Sequence, residues 1–158
     1  MAFACYVLFA LLIAAGDQIT KYLVVENIAL FQDVPLLPGV LGLTHVRNEG
    51  AAFSSFRGMR WLFVLIFVVL TLAVVYEYFK KPMPFTKLER WSIAAIYGGG
   101  LGNMIDRVRL GYVVDMLETK FMAFPVFNVA DCFITCGCLL LMAHLAFFNK
   151  RFWKDEKK

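Results

Sequence analysis

The sequence predicts an all-α membrane protein with four transmembrane helices and a small β-rich cradle outside the membrane. Hydrophobic residues make up 61% of the 158 residues and charged residues only 18%, whereas soluble domains average about 45–50% and about 25%. A soluble domain of this length would still expose roughly a third of its unfolded surface, which is too much for so apolar a chain. The composition therefore excludes an ordinary soluble enzyme, a disordered chain and a coiled coil.

Four apolar stretches approach the length of about 20 residues that a bilayer span requires. They cover residues 5–25, 61–79, 88–107 and 127–148, within a single integral membrane domain formed by residues 1–158. An alternative is that the first stretch is a cleaved signal peptide. Because no Lys or Arg precedes Lys21, the positive n-region of a signal peptide is missing, and we expect this span to be retained.

Lys and Arg residues predict the orientation in the membrane. The loop between the second and third spans and the C-terminal tail are short and dense in positive charge. This places both of them, together with the N-terminus, in the cytoplasm. The net charge of +4 is thus interpreted as topology, and no nucleic-acid partner is predicted. Segments 26–60 and 108–126 then face outward.

The two outward segments contain β-strand patterns. Residues 40–47 favour β structure and partly alternate, and residues 111–117 also have a strand pattern. Pro35, Pro38 and Gly39 exclude a long helix before the first of them. We therefore expect a small sheet at the outer membrane surface.

Ionisable residues inside apolar spans are functional candidates, because a charge at a helix centre costs ~2.5–3.5 kcal/mol on insertion scales. Asp17 and Lys21 are four residues apart and share a helix face, so we interpret them as an ion pair that holds helices together. Asn103, Asp106 and Arg107 share a face at the outer end of the third span, so they are expected to form an interfacial cluster paired within itself, in part through Asp106 and Arg107. The glycines before them are typical of close helix packing.

Asp115 and Asp131 form a second candidate pair. Asp115 lies on a predicted outward strand and Asp131 near the start of the fourth span, so both are expected near the outer surface. Two neighbouring carboxylates cannot both ionise cheaply, and one keeps a proton. The ionised partner can then activate water, and the protonated partner can bind a scissile carbonyl. Spacing alone leaves two commoner alternatives open: a helix cap for Asp131 and a surface role for Asp115.

Other catalytic chemistries have little support in the sequence. The two histidines, His45 and His144, are far apart and form no HExxH motif, so no metal site is predicted. No phosphate-binding loop or dinucleotide fingerprint is present, and no cofactor is predicted. The four cysteines form no CxxC pair, and we expect them to be small buried packing residues; they are Cys5, Cys132, Cys136 and Cys138.

Five short motifs, taken together, resemble one family. In chain order they are DQITK at 17–21, VRNEGAAFS at 46–54, GNMIDR at 102–107, GYVVD at 111–115 and FNVAD at 127–131. In this order on four spans they resemble the lipoprotein signal peptidases (signal peptidase II), which are aspartic peptidases of the bacterial inner membrane. The resemblance extends over nearly the whole chain.

The resemblance implies roles for particular residues. The catalytic pair of the family falls on Asp115 and Asp131, and not on Asp106, which spacing alone would also have allowed. The supporting residues of the family fall on ten further positions: Asp17, Lys21, Asn48, Gly50, Gly99, Asn103, Asp106, Arg107, Asn128 and Ala130.

The resemblance also implies a substrate and a location. The expected activity is removal of the signal peptide from diacylglyceryl-modified prolipoproteins, with the cut just before the lipid-modified cysteine. The expected place is the outer (periplasmic) face of the inner membrane, in contact with membrane lipids. Cyclic-peptide antibiotics such as globomycin are expected inhibitors.

Two other classes of protein share features with this sequence. A transporter or proton-relay subunit would also carry intramembrane charges, but near the midplane and often in repeated halves. A quinone-linked disulfide oxidoreductase would need reactive cysteine pairs in the outward segments, and residues 26–60 and 106–126 contain no cysteine.

Overall fold

The computed structural model describes residues 2–50, 58–80, 83–150 and 152. Within these ranges the chain forms four helices and three strands. In chain order they are α1 (Ala2–Asn27), β1 (Asp33–Leu37), β2 (Leu41–Asn48), α2 (Arg60–Lys80), α3 (Lys87–Arg109), β3 (Val113–Thr119) and α4 (Val129–Phe147). Each predicted span overlaps one helix. The second half of the motif at 46–54, together with the charged residues of the C-terminal tail beyond Phe152, lies outside the described residues.

Three of the described helices are long and apolar enough to cross a membrane, judged by length and composition. They are Phe3–Asn27, Arg60–Lys80 and Val129–Phe147. Helix α3 has 23 residues and so extends about 34 Å at ~1.5 Å per residue, but its polar residues and glycines make it less apolar. Several polar residues of α3 are nevertheless enclosed by protein, because its buried residues include Glu89, Asn103 and Asp106.

Helix α3 lies between α1 and α4 and contacts both through glycines. A Cβ atom added to Gly98 would lie 2.6 Å from the backbone oxygen of Ala10 on α1, and one added to Gly99 would overlap the backbone oxygen of Ala130 on α4. Such contacts bring helix backbones closer than any larger residue permits, as is common inside membranes. The predicted packing role of these glycines is therefore confirmed at Gly98 and Gly99.

The three strands form one antiparallel sheet in the order β1-β2-β3. Strands β2 and β3 confirm the two strands predicted from the sequence, whereas β1 was missed. Its proline, Pro35, argues against a strand, but β1 is an edge strand, where a residue without a backbone N–H is tolerated. Strand β2 contains a β-bulge: Leu43 pairs with Leu117 and Val46 with Asp115, so two residues of β2 face one of β3.

A polar cluster joins α3 and α4 at the ends that lie away from the sheet. The buried carboxylate of Glu89 accepts hydrogen bonds from the backbone N–H of Thr86 at 2.7 Å and from Asn149 Nδ2 at 2.7 Å, and its Oε1 lies 2.7 Å from His144 Nδ1. We call Glu89, His144 and Asn149 the Glu89 cluster. His144 is thus partnered by a carboxylate, a contact that the sequence analysis missed.

The expectation that all four cysteines are buried was wrong. All four are free thiols, but Cys5 and Cys136 are exposed and the other two are partly exposed. Cys5 lies on α1 and Cys136 on α4, on helix surfaces that a lipid bilayer can cover, so small apolar side chains are accepted there without burial inside the protein.

Replacing Gly98 by alanine is expected to destabilise the fold, because the new Cβ must displace a helix backbone rather than a flexible side chain. Overpacking of this kind costs about 1–3 kcal/mol. The matched control is Gly16→Ala, since an added Cβ at Gly16 has no atom within 4 Å. Thermal unfolding in detergent should show a lower Tm for Gly98→Ala alone. Equal Tm values for the two variants would contradict the close contact of α1 and α3.

Candidate active site

A buried lysine forms the base of the candidate site. Lys21 on α1 is 3% exposed, and its Nζ lies 2.8 Å from Asp17 Oδ2 and 3.0 Å from Asp106 Oδ2. It also donates a hydrogen bond of 2.9 Å to Asn103 Oδ1. The predicted pairing of Asp17 with Lys21 is therefore confirmed, and the ammonium reaches α3 as well.

Asp17 extends this base to α4. Its second oxygen, Oδ1, accepts a hydrogen bond of 2.9 Å from the backbone N–H of Ala130, the second residue of α4. Neighbouring Gly102 lies so close that an added Cβ would meet Asp17 Oδ2 at 2.6 Å. The ion pair thus ties α1 to the first turn of α4, where Asp131 follows.

Asp106 is fully engaged in holding other groups. Its Oδ1 accepts a hydrogen bond of 2.8 Å from Gln18 Nε2, and its Oδ2 accepts one of 3.0 Å from the backbone N–H of Val114. With Lys21 also on Oδ2, both oxygens are occupied. The sequence allowed an ion pair between Asp106 and Arg107, but the close cationic partner of Asp106 is Lys21. Asp106 therefore fixes the start of β3, one residue before Asp115.

Asp115 is buried on β3 between two amide side chains. Asn48 Nδ2 donates to Asp115 Oδ2 at 2.9 Å, and Asn128 Nδ2 donates to Asp115 Oδ1 at 2.6 Å. Asn48 faces Val113 across the sheet, and Val113 and Asp115 point to the same face because strand side chains alternate. Asn48 can therefore reach Asp115 diagonally.

Asp131 lies in the first turn of α4 and is partly exposed. Asn128 caps this helix, and Asp131 completes the capping box: its backbone N–H donates to Asn128 Oδ1, and its Oδ2 accepts from the backbone N–H of Asn128, each at 3.0 Å. Its other oxygen, Oδ1, accepts a hydrogen bond of 2.8 Å from Asn103 Nδ2. The helix-cap role considered for Asp131 is thus real, and one residue, Asn128, binds both Asp131 and Asp115.

The environment of Asp115 raises its pKa from 3.8 to about 6. The largest cause is burial, which disfavours the charged carboxylate, and the charge of Asp131 raises the pKa further. Hydrogen bonds from Asn48 and Asn128 act in the opposite direction, because they favour the ionised form. The negative charge of Asp131 and burial therefore both favour the protonated form of Asp115.

Arg107 closes one side of the site. Its Nη2 donates to the backbone oxygen of Gly50 at 2.9 Å, while the amide N–H of Gly50 donates to Asn48 Oδ1 at 3.0 Å. Its guanidinium carbon also lies 4.5 Å from the ring centre of Phe63 on α2, at the range of a cation–π contact. Arg107 thus orients the segment that follows β2, and with it the amide of Asn48.

All twelve residues singled out from the sequence lie in or beside this network. Eleven take part in the hydrogen bonds, ion pairs or backbone contacts just given, and Gly99 supports it by its close contact with Ala130 on α4. Sequence reasoning missed Gln18, which donates to both Asp106 Oδ1 and the backbone oxygen of Gly102. Its position one residue after Asp17, in an apolar span, was the available indication.

Comparisons with known proteins agree with the resemblance of the motifs. The family model described as Signal peptidase (SPase) II matches residues 9–147. A protein named lipoprotein signal peptidase from Streptococcus pyogenes serotype M2 (strain MGAS10270) is 40% identical over 154 residues, which is 96% of this chain and 94% of that protein. One of the same name from Enterococcus faecalis (strain ATCC 700802 / V583) is 41% identical over 148 residues, 92% of this chain and 89% of that protein.

Solved structures show the same fold. A bacterial membrane enzyme determined by the in meso method at 2.3 Å resolution matches with a TM-score of 0.85 and 31% identity, covering 94% of this chain and 91% of that one. A second bacterial membrane enzyme, at 1.9 Å, matches with a TM-score of 0.81 and 31% identity, covering 92% and 95%. The likeness therefore extends over both the helices and the sheet.

The raised pKa of Asp115 makes stability depend on pH. The folded protein holds this proton more tightly than the unfolded chain, in which the pKa of Asp115 is near 3.8. The contribution of Asp115 to stability is therefore complete below that value and is lost as pH rises through about 6. We expect the Tm of the wild type to fall by a few degrees relative to Asp115→Asn between about pH 4 and pH 7.

The matched control for this measurement is Glu118→Gln. Glu118 lies on the same strand but is half-buried, beside Lys120 at 2.9 Å, and its replacement should leave the pH dependence unchanged. Parallel curves of Tm against pH for the wild type and Asp115→Asn would show that Asp115 does not hold a proton in this range.

Proposed function

The chain belongs to the signal peptidase II family, and on that premise we propose which residues act, on what bond, and on which side of the membrane. The protein is a membrane aspartic peptidase that removes signal peptides from prolipoproteins. We propose that Asp115 and Asp131 are its catalytic pair. The observation that carries this proposal is that Asn128 binds both carboxylates: its side-chain Nδ2 donates to Asp115 Oδ1, and its backbone N–H donates to Asp131 Oδ2.

In the proposed mechanism the two aspartates share one proton. Burial favours the proton on Asp115, and the more accessible Asp131 is the ionised base. Asp131 takes a proton from water as the water oxygen attacks the scissile carbonyl carbon, and Asp115 donates its proton to the carbonyl oxygen. The resulting tetrahedral intermediate collapses when the carbon–nitrogen bond breaks: Asp131 gives its proton to the leaving amine, and a hydroxyl of the intermediate returns a proton to Asp115 as the carbonyl re-forms. No metal, cofactor or covalent intermediate is required.

The supporting residues position this pair by hydrogen bonds to its carboxylates and by contacts between the helices that carry it. Asn103, Asn128 and Asn48 orient the carboxylates through neutral donors, which restrain geometry without adding charge. Asp17, Lys21, Asp106, Gly99 and Ala130 fix the helices beneath, while Arg107 and Gly50 order the segment beside Asn48. We propose these as positioning residues, with Arg107 and Asn48 also close enough to the pair to orient a bound peptide.

We propose that the substrate is a prolipoprotein with a diacylglyceryl-modified cysteine, cut just before that cysteine. The signal peptide is an apolar helix in the bilayer, and its lipid holds the scissile bond at the interface. A carboxylate pair at the sheet end of the helices meets the bond at that depth, where water is available. The same geometry makes membrane lipids neighbours of the site and exposes it to block by cyclic peptides such as globomycin.

The proposed location is the inner membrane, crossed by all four helices, with both termini in the cytoplasm and the sheet on the periplasmic face. Charge supports this orientation, because the loop before α3 and the chain after α4 carry the denser positive clusters. A transporter is disfavoured because the described polar residues around Asp115 lie at one end of the helices rather than at the midplane. A disulfide oxidoreductase is disfavoured because the four cysteines lie on α1 and α4.

Replacing either catalytic aspartate by asparagine is expected to reduce cleavage of a purified diacylglyceryl-modified prolipoprotein by at least about 10⁴-fold, as for other essential members of a catalytic unit. A gel-shift assay separates substrate from product. The matched control Glu118→Gln removes a carboxylate from the same strand as Asp115 and should retain full activity. Near-normal cleavage by a folded Asp115→Asn or Asp131→Asn variant would overturn the assignment.

Asp106→Asn distinguishes a positioning carboxylate from a catalytic one. It loses an ion pair with Lys21 but keeps an oxygen that can accept from Val114, so we expect lower stability with residual activity in the folded fraction. Loss of activity equal to that of the dyad variants, with a normal Tm, would instead place Asp106 in the chemistry.

The orientation can be tested with single cysteines in a variant whose four natural cysteines are alanines. Lys120 in the chain after β3 and Lys150 after α4 are matched lysines at opposite ends of the helices. A membrane-impermeant thiol reagent applied to intact spheroplasts should label Lys120→Cys, and Lys150→Cys only after permeabilisation. The reverse labelling pattern would refute the proposed orientation.

A further inference from the structure

A buried histidine lies at the β-bulge of β2 and is not part of the proposed catalytic network. His45 is 5% exposed. Its ring Nδ1 lies 3.0 Å from the backbone oxygen of Ile28, just beyond the end of α1, and this contact requires the proton on Nδ1. Its ring Nε2 is buried without a hydrogen-bond partner among the described residues. Burying a ring nitrogen without a hydrogen-bond partner costs free energy. The contact of Nδ1 with Ile28 must help to offset this cost.

The backbone of His45 contacts the same segment. Its carbonyl oxygen accepts a hydrogen bond of 2.9 Å from the N–H of Phe31, and Phe31 has a φ of +63°, a left-handed conformation that is unusual for a residue with a side chain. Ring and backbone of His45 thus bind both ends of the turn 28–31 that joins α1 to β1. These contacts hold the bulge residue away from the regular ladder with β3.

The bulge decides which face of the sheet Asn48 occupies. Before it, Leu43 pairs with Leu117, and after it Val46 pairs with Asp115, so Thr44 and His45 together face Met116 alone. Without the extra residue, the strand after Leu43 would slip by one position. A slip of one residue moves every following side chain to the opposite face, and Asn48 would then point away from Asp115.

We propose that His45 is a positioning residue for the catalytic pair: by binding the turn 28–31 it holds the bulge that places the amide of Asn48 on Asp115. The role rests on the proposed function of Asp115, but the geometry can be tested without it. Asn48 favours the ionised form of Asp115. Release of the bulge should therefore leave Asp115 protonated to higher pH.

Two substitutions of similar size separate the hydrogen bond from the bulk of the ring. His45→Asn carries an amide N–H near the position of Nδ1 and can still donate to Ile28, whereas His45→Leu cannot. The first measurement is Tm against pH, each variant being compared with its own Asp115→Asn double variant. We expect the loss of stability attributable to Asp115 to move to higher pH by about one unit in His45→Leu, and to stay in place in His45→Asn.

The second measurement is kcat/KM for prolipoprotein cleavage against pH. His45→Leu should lower kcat/KM about tenfold and move its alkaline limb to higher pH, the shift also expected for Asn48→Ala, and His45→Asn should restore both. The control Glu89→Gln weakens the Glu89 cluster at the far end of α3, so it should lower the Tm without moving the limb.

The outcomes separate the two proposals. Near-normal cleavage by a folded Asp115→Asn variant, with stability curves that behave as expected, would overturn the catalytic assignment of Asp115 but leave the placement of Asn48 by His45 standing. A His45→Leu variant that loses Tm like Glu89→Gln, with its Asp115-linked curve unmoved, would show that His45 serves folding alone and overturn the inference. So would a His45→Asn variant indistinguishable from His45→Leu.

Discussion

The ammonium of Lys21 is the constraint on which the rest of the site depends. A charge that is 3% exposed requires close acceptors on every side, because leaving one buried charge without its partner costs about 3–5 kcal/mol. Asp17 supplies one acceptor from the same helix, while Asp106 and Asn103 supply two from α3. Each of these three has a further bond, to Ala130, to Val114 and to Asp131 respectively. One buried cation therefore binds α1 and α3 directly, and it restrains β3 and α4 indirectly through the residues that it contacts.

The groups that hold the two candidate catalytic carboxylates are amides, and their lack of charge has a chemical consequence. Asp115 and Asp131 are held by Asn48, Asn103 and Asn128, and no lysine or arginine forms a close ion pair with either among the described residues. A cation in direct contact would keep a carboxylate ionised. Neutral donors hold the oxygens in place and still allow burial to raise the pKa of Asp115 to about 6. A pair held in this way retains the proton that acid–base chemistry needs.

Local sequence patterns predicted the elements well, and they predicted contacts only where partners lie on one helix face. Asp17 and Lys21, at i and i+4, are such a case. Asp106 shows the limit: its position next to Arg107 suggested a local pair, whereas its partners come from α1 and β3. The same holds for Glu89 and His144, which are 55 residues apart. Strand β1 was hidden by Pro35, whose acceptability depends on its being at the sheet edge, a tertiary property. The roles of Asp115 and Asp131 came from the family resemblance, since spacing also allowed a cap and a surface residue.

Helix α3 is the least apolar of the four described helices, and it is also the one most enclosed by protein. Helix α2 has a window of mean hydropathy 2.5 with none of its residues buried, whereas α3, with its glycines and polar residues, has eight buried residues. In water the apolar helix would be the core, but in a bilayer lipid accepts apolar side chains, and the polar groups must be enclosed. This supports α3 as a fourth, central span despite its composition. It also explains how Asn103 and Asp106 can be buried on α3: they lie where this helix contacts α1 and α4, and they bind Lys21 and Asp131 there.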